Sequence, residues 1–135
     1  GPPAAWRTMI RTAAFGWVDL LAARAYPALA DRCGWTVEQL AEAMAPYWAD
    51  GVHSLKGLPH VIDLRNLGLI GAVELDPIPG KPGLRGYNTF VRAFDQGLLI
   101  RVTGDIVAMS PPLIIEKQHI DQIFGILGGV LKELG

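Results

Sequence analysis

Two pairs of short, apolar, β-branched runs, each pair divided by a turn that contains glycine, restrict this chain more than any other feature. VIDLR at 61–65 and GLIGAVEL at 68–75 flank a turn at Asn66, Leu67 and Gly68. LLIRV at 98–102 and DIVAMS at 105–110 flank Thr103 and Gly104. Such runs read as antiparallel strands. Neither pair is long enough to fold alone, so the two must join one sheet and cover one of its faces with helices.

Helical spacing supplies that cover. Thr36 followed by Gln39 forms a capping box, which starts a helix that runs towards Lys56. Pro46 lies inside it and predicts a kink, or a helix that effectively begins there. Residues 76–83, with Pro77, Pro79 and Pro82, must be a loop. Tyr87, Phe90, Val91 and Phe94 share one helical face, and Gly97 ends that helix. After Pro111 and Pro112, a final amphipathic helix is marked by Ile120, Ile123, Phe124, Leu127, Val130, Leu131 and Leu134.

Ahead of all this, Trp6, Met9, Ile10, Ala13, Trp17, Leu20 and Leu21 trace a helical stripe, with Arg7, Arg11, Asp19 and Arg24 mostly outside it. A short helix follows between Pro27 and Gly34. The expected fold is therefore α+β: an antiparallel sheet of about four strands with helices packed on one face, preceded by an N-terminal helical segment. Residues 1–2 read as the scar of a removed tag, 3–43 as the helical segment and 44–135 as the α+β region, all within one folded unit.

Half of the residues are apolar, charged residues make up 19% and the formal net charge is −1. That balance excludes a disordered chain and lacks the clustered positive field that nucleic acid requires. Mean hydropathy is +0.28, which implies apolar surface meant to be covered, so a homo-oligomer is expected. Trp6, Trp17 and Trp48 are its candidate anchors. Cys33 is the single cysteine and forms no intrachain disulfide. No apolar run reaches membrane-spanning length and no signal peptide is visible, so a soluble, cytoplasmic protein is expected.

Arg101 is the residue with the clearest chemical demand. A guanidinium within an apolar strand must reach solvent or find a carboxylate, and Asp105 is the nearest acid in sequence. Lys56, Lys81, Lys117 and Lys132 read as surface residues, because nothing near them in sequence lowers an amine pKa. His53, His60 and His119 form no zinc spacing with each other or with Cys33. Ser54 and Ser110 lack a nucleophile setting, and Gly80, Gly83 and Gly86 read as loop glycines. Gly128 and Gly129 in the last helix read as packing positions. Leu29, Ala30, Gly34, Val37 and Leu40 fit a helix-turn-helix spacing, but Glu38 and Glu42 would repel phosphates, so DNA binding is the weakest reading.

From Met44 to Leu134 the chain resembles the C-terminal small domain of class III pyridoxal-phosphate (PLP) aminotransferases of the omega-amino acid:pyruvate (beta-alanine:pyruvate) branch. GLPHVIDLRNLGLIGAVEL, GLLIRVTGD and SPPLIIEKQHIDQI carry the resemblance, in order and spacing. It implies that Arg101 binds the substrate carboxylate once a pocket is completed. It also implies a Schiff-base lysine, a phosphate-binding loop and a pyridine-facing aspartate on a separate large domain, none of which the sequence contains. No catalytic, cofactor-binding or metal residue is therefore expected in this chain, and no cofactor for the chain alone. The leading expectation is a non-catalytic fragment or chimera of such an enzyme, stabilised by added helices or by self-association. A protein-interaction module is the alternative.

Overall fold

The computed structural model describes residues 36–134. The helices expected over 6–25 and 27–34, with Trp6, Trp17 and Cys33, lie outside the described residues. The elements are α1 (Val37–His53), β1 (Val61–Leu67), β2 (Ile70–Leu75), α2 (Leu84–Asp95), β3 (Arg101–Thr103), β4 (Ile106–Met109) and α3 (Lys117–Glu133). The α+β class and the four-stranded antiparallel sheet stand as read from the sequence.

The capping box at the start of α1 is formed: the Gln39 amide donates to the Thr36 hydroxyl, and the Thr36 amide donates to the Gln39 side chain at 2.8 Å. The helix runs unbroken through Pro46 and ends at His53, short of Lys56. Pro46 and Glu42, whose carbonyl loses its helical donor, are both exposed.

The sheet order is β1-β2-β4-β3. Both hairpins are antiparallel, and an antiparallel β2-β4 pair joins them at the centre. The first turn is tighter than its sequence suggests. Leu67 pairs with Ile70, leaving Gly68 and Leu69 as the two loop residues, and Gly68 takes a φ of 56° that suits glycine. The run expected to begin at Leu98 enters the sheet only at Arg101, because the Leu98 amide is held by the Ala93 carbonyl at the end of α2.

Strand alternation sorts the sheet into two unlike faces. Val73, Leu75, Val107 and Met109 point inwards and are buried. Against this face α1 packs on β1 and β2, α2 on β3 and β4, and α3 across both helices. Trp48 and Val52 of α1, with Leu55 just beyond its end, meet Ile120, Phe124, Leu127 and Leu131 of α3 in one core. The rings of Trp48 and Phe124 lie 5.0 Å apart. A Cβ at Gly51 would stand 2.4 Å from the Phe124 ring, so glycine there is what lets the two helices approach. Trp48 is 0% exposed and cannot serve as the interface anchor that its sequence context suggested.

α2 exists where its spacing predicted, but its apolar stripe is only partly buried: Phe90 packs against the core, while the two ends of the stripe do not. Gly86, Thr89 and Ala93 face inwards, whereas Tyr87 and Phe94 are 58% and 60% exposed. Small residues win the inner face because α2 lies close against the β3-β4 turn, where a larger side chain would not fit.

Candidate functional site

The outer face of the sheet carries no helix among the described residues, and Arg101 opens onto it. Register places Arg65 opposite Ala72, Ala72 opposite Ala108 and Ala108 opposite Arg101, so these four form one row across the sheet. Two arginines thus end a shallow floor of alanine, with their Cα atoms about 14 Å apart at ordinary strand spacing. Leu67 and Ile70 occupy the adjoining row at one side, 78% and 54% exposed. Asp63, Glu74, Ile106 and Thr103 form the row on the other side.

The arginines differ in what they already hold. Arg65 pairs with Asp63 and with Glu74, the latter at 2.8 Å. The hydrogen bonds it donates to Glu74 and then to Asp63 push its pKa further up, so it is a neutralised cation. Arg101 is exposed on β3, an edge strand, and makes no ion pair among the described residues.

Asp105, the partner that sequence proximity suggested for Arg101, is engaged elsewhere. Its carboxylate accepts the Gly83 amide at 2.7 Å and the Gly86 amide at 2.9 Å, capping the N-terminus of α2 from the β3-β4 turn. Gly83, the N-cap of α2, has no side chain with which to do this. Gly86 therefore lies in the first turn of the helix, not in the preceding loop as its sequence context indicated. A Cβ there would stand 2.1 Å from the Gly104 carbonyl oxygen, so only glycine permits the approach. The legible signal was a glycine at the N-cap position, which requires an acceptor from elsewhere.

The other candidates do not converge on this face. Lys56, Lys81, Lys117 and Lys132 are all exposed, and Lys117 sits 5.3 Å from the centre of the Tyr47 ring. His53 shares a 2.7 Å hydrogen bond with Asn66, His119 Nδ1 accepts the Glu116 amide at 3.1 Å, and His60 lies at the joint between α1 and β1 with a φ of 65°. No group of three or more possible metal ligands occurs among the described residues. Ser54 donates to the Gly51 carbonyl at the end of α1, a capping role, and Ser110 is exposed. Glu38 and Glu42 are exposed on α1, where a DNA-reading helix would need cations. No helix among the described residues is long and apolar enough to cross a membrane.

On the opposite side of the molecule, α1 and α3 enclose an open cleft of about 400 Å³ lined by Tyr47, Asp50, Ser54, Asp121 and Phe124. The Tyr47 hydroxyl donates to the Asp121 carboxylate, a bond that raises the tyrosine pKa above its ordinary value of 10.0. It holds the N-terminal part of α3 to α1 and presents no reactive group to the open sheet face.

Residues 34–131 match the family model described as Aminotransferase class-III. An omega-aminotransferase of Caulobacter vibrioides is 51% identical over 94 residues, covering 70% of this chain and 21% of that protein. A beta-alanine--pyruvate aminotransferase of Pseudomonas aeruginosa is 35% identical over 96 residues, covering 71% and 21% respectively. Among solved structures, a thermostable omega transaminase 6-fold mutant from Pseudomonas jessenii superposes with a TM-score of 0.68 at 29% identity, covering 73% of this chain and 23% of that one. The chain thus spans about a fifth of the length of the curated relatives it matches.

Proposed function

Because this chain belongs to the class-III aminotransferases, we propose that residues 36–134 serve as the carboxylate-binding wall of such an enzyme and that the chain is non-catalytic by itself. The family is PLP-dependent. The described residues do not fit that cofactor: each of their lysines is exposed, and none lines the cleft. No catalytic step is assigned to them.

One observation carries the reading. Arg101 is an exposed guanidinium on a sheet face that carries no helix among the described residues, and it makes no ion pair with any of them. A planar fork of donors suits a substrate carboxylate, such as that of an omega-amino acid or pyruvate, and fixes its orientation. The site still lacks opposing walls, without which a small carboxylate stays in water. The remaining mass of the family fold would supply them. In this chain we assign cover of the open face to the N-terminal segment or to self-association, which accords with the exposure of Leu67 and Ile70.

The test is a turnover assay. The purified chain with PLP, beta-alanine and pyruvate should form no alanine. Formation of alanine that disappears on replacing one of Lys56, Lys81, Lys117 or Lys132 would overturn the proposal.

A further inference from the structure

We propose that Asp105 is a positioning residue that sets the place of Arg101 on the open face for a carboxylate ligand, an inference that rests on the role assigned to Arg101 above. The two arginines of the open face start from the same chemistry and end in opposite states. Arg65 has Asp63 and Glu74 beside it and is held by both. Arg101 has one acid on its own hairpin, Asp105, and both oxygens of that acid are taken by the Gly83 and Gly86 amides. A carboxylate that accepts two backbone donors at a helix N-terminus is held there by charge-assisted bonds and by the helix dipole.

The same bonds place the strand. Gly104 packs against Gly86 with no room for a methyl group, and the Asp105 carbonyl accepts the Leu75 amide at 2.8 Å. The β3-β4 turn is therefore pinned on one side to α2 and on the other to β2. Arg101 stands two residues before the end of β3, opposite Ala108, so its place on the row is set from that turn.

The test uses the ¹⁵N-labelled chain and sodium propionate as the carboxylate probe at constant ionic strength. Arg65 is the internal control. Asp105→Ala should speed hydrogen exchange of both the Gly83 and Gly86 amides by roughly tenfold or more, since each loses a bond to a charged acceptor. Asp105→Asn, which keeps a single acceptor oxygen, should speed only one of them. Propionate should move the Arg101 Nε–H resonance more than that of Arg65. This preference should weaken in Asp105→Ala and return in part in Asp105→Asn, whereas a general loss of stability would leave the ratio of the two responses unchanged. An Arg101 preference equal in Asp105→Ala and the parent chain overturns the positioning role and leaves the carboxylate reading intact. An Arg101 that ignores propionate in the parent chain, with both amides still protected, overturns the carboxylate reading and this inference with it. If Asp105→Ala does not fold, Asp105→Asn alone decides by the same ratio.

Discussion

Gly86→Ala should destabilise the protein although it replaces a glycine by the best helix former inside a helix. Taken alone, helix propensity favours alanine by about 1 kcal/mol. The added methyl would stand 2.1 Å from the Gly104 carbonyl oxygen and 3.0 Å from the Asp105 Cα. Both are backbone atoms of the turn, so no rotamer change relieves the contact. Forcing the turn away costs about 1–3 kcal/mol as an overpacked contact. The same movement stretches the bonds from Gly83 and Gly86 to Asp105, and loss of one bond to a charged acceptor adds about 1.5–3 kcal/mol. Subtracting the propensity gain leaves a net loss of about 1.5–5 kcal/mol, which lowers Tm by roughly 6–20 °C for a chain of this size. Urea unfolding followed by far-ultraviolet circular dichroism measures it, with an unchanged slope showing that the midpoint reports stability. A variant as stable as the parent would show that α2 and the turn are not in close contact and would remove the basis for treating Gly86 as obligatory.

Gly129→Ala is the counterpart in α3: nothing lies within 4 Å of its added Cβ, so the same chemical change should raise stability by about 0.5–1 kcal/mol in the same assay. Absorbance titration at 295 nm should show Tyr47 ionising above the ordinary value of 10.0, and Asp121→Asn should bring it back down. Because this pKa is raised in the folded state, the bond stabilises the fold below the ordinary tyrosine pKa and is lost as pH rises through the folded value. Arg101→Ala should leave stability within about 0.5 kcal/mol, as for an exposed residue without partners. Trp48→Ala should cost about 3–5 kcal/mol, because the ring is fully enclosed between α1 and α3, and a smaller loss in denaturant unfolding would refute that packing.

The fold was legible wherever local periodicity and long-range packing agreed. The capping box of Thr36 and Gln39, the alternation of β2 and the stripe of α3 each demand one structure, and each was found. α2 shows the limit. Its strongest apolar face, Tyr87 to Phe94, predicts the helix but not its orientation, because what decides the buried face is how closely the β3-β4 turn approaches. That approach joins residues about twenty positions apart, beyond any periodic signal. Asp105 shows the same limit. In sequence its nearest cation is Arg101, whereas in space its nearest donors are the amides at the start of α2. At Pro46 a helix that begins there is excluded, because α1 runs from Val37 to His53 through that position.

The register of the second hairpin joins these observations to function. β3 contributes only Arg101, Val102 and Thr103, paired with Ala108, Val107 and Ile106. In so short a strand the ladder alone specifies register weakly, and a slip of one residue would carry Arg101 to the helix-covered face and Val102 to the open one. Burial of Val102 against Val107 opposes that slip, but a single partly buried valine is a modest restraint. The clamp at Asp105 and Gly104 adds a second restraint at the turn itself, where a slip would have to begin. It follows that the residues which fix the side of the sheet from which Arg101 projects are glycine and aspartate at the far end of the hairpin, and that exchanging either should disturb Arg101 without touching it.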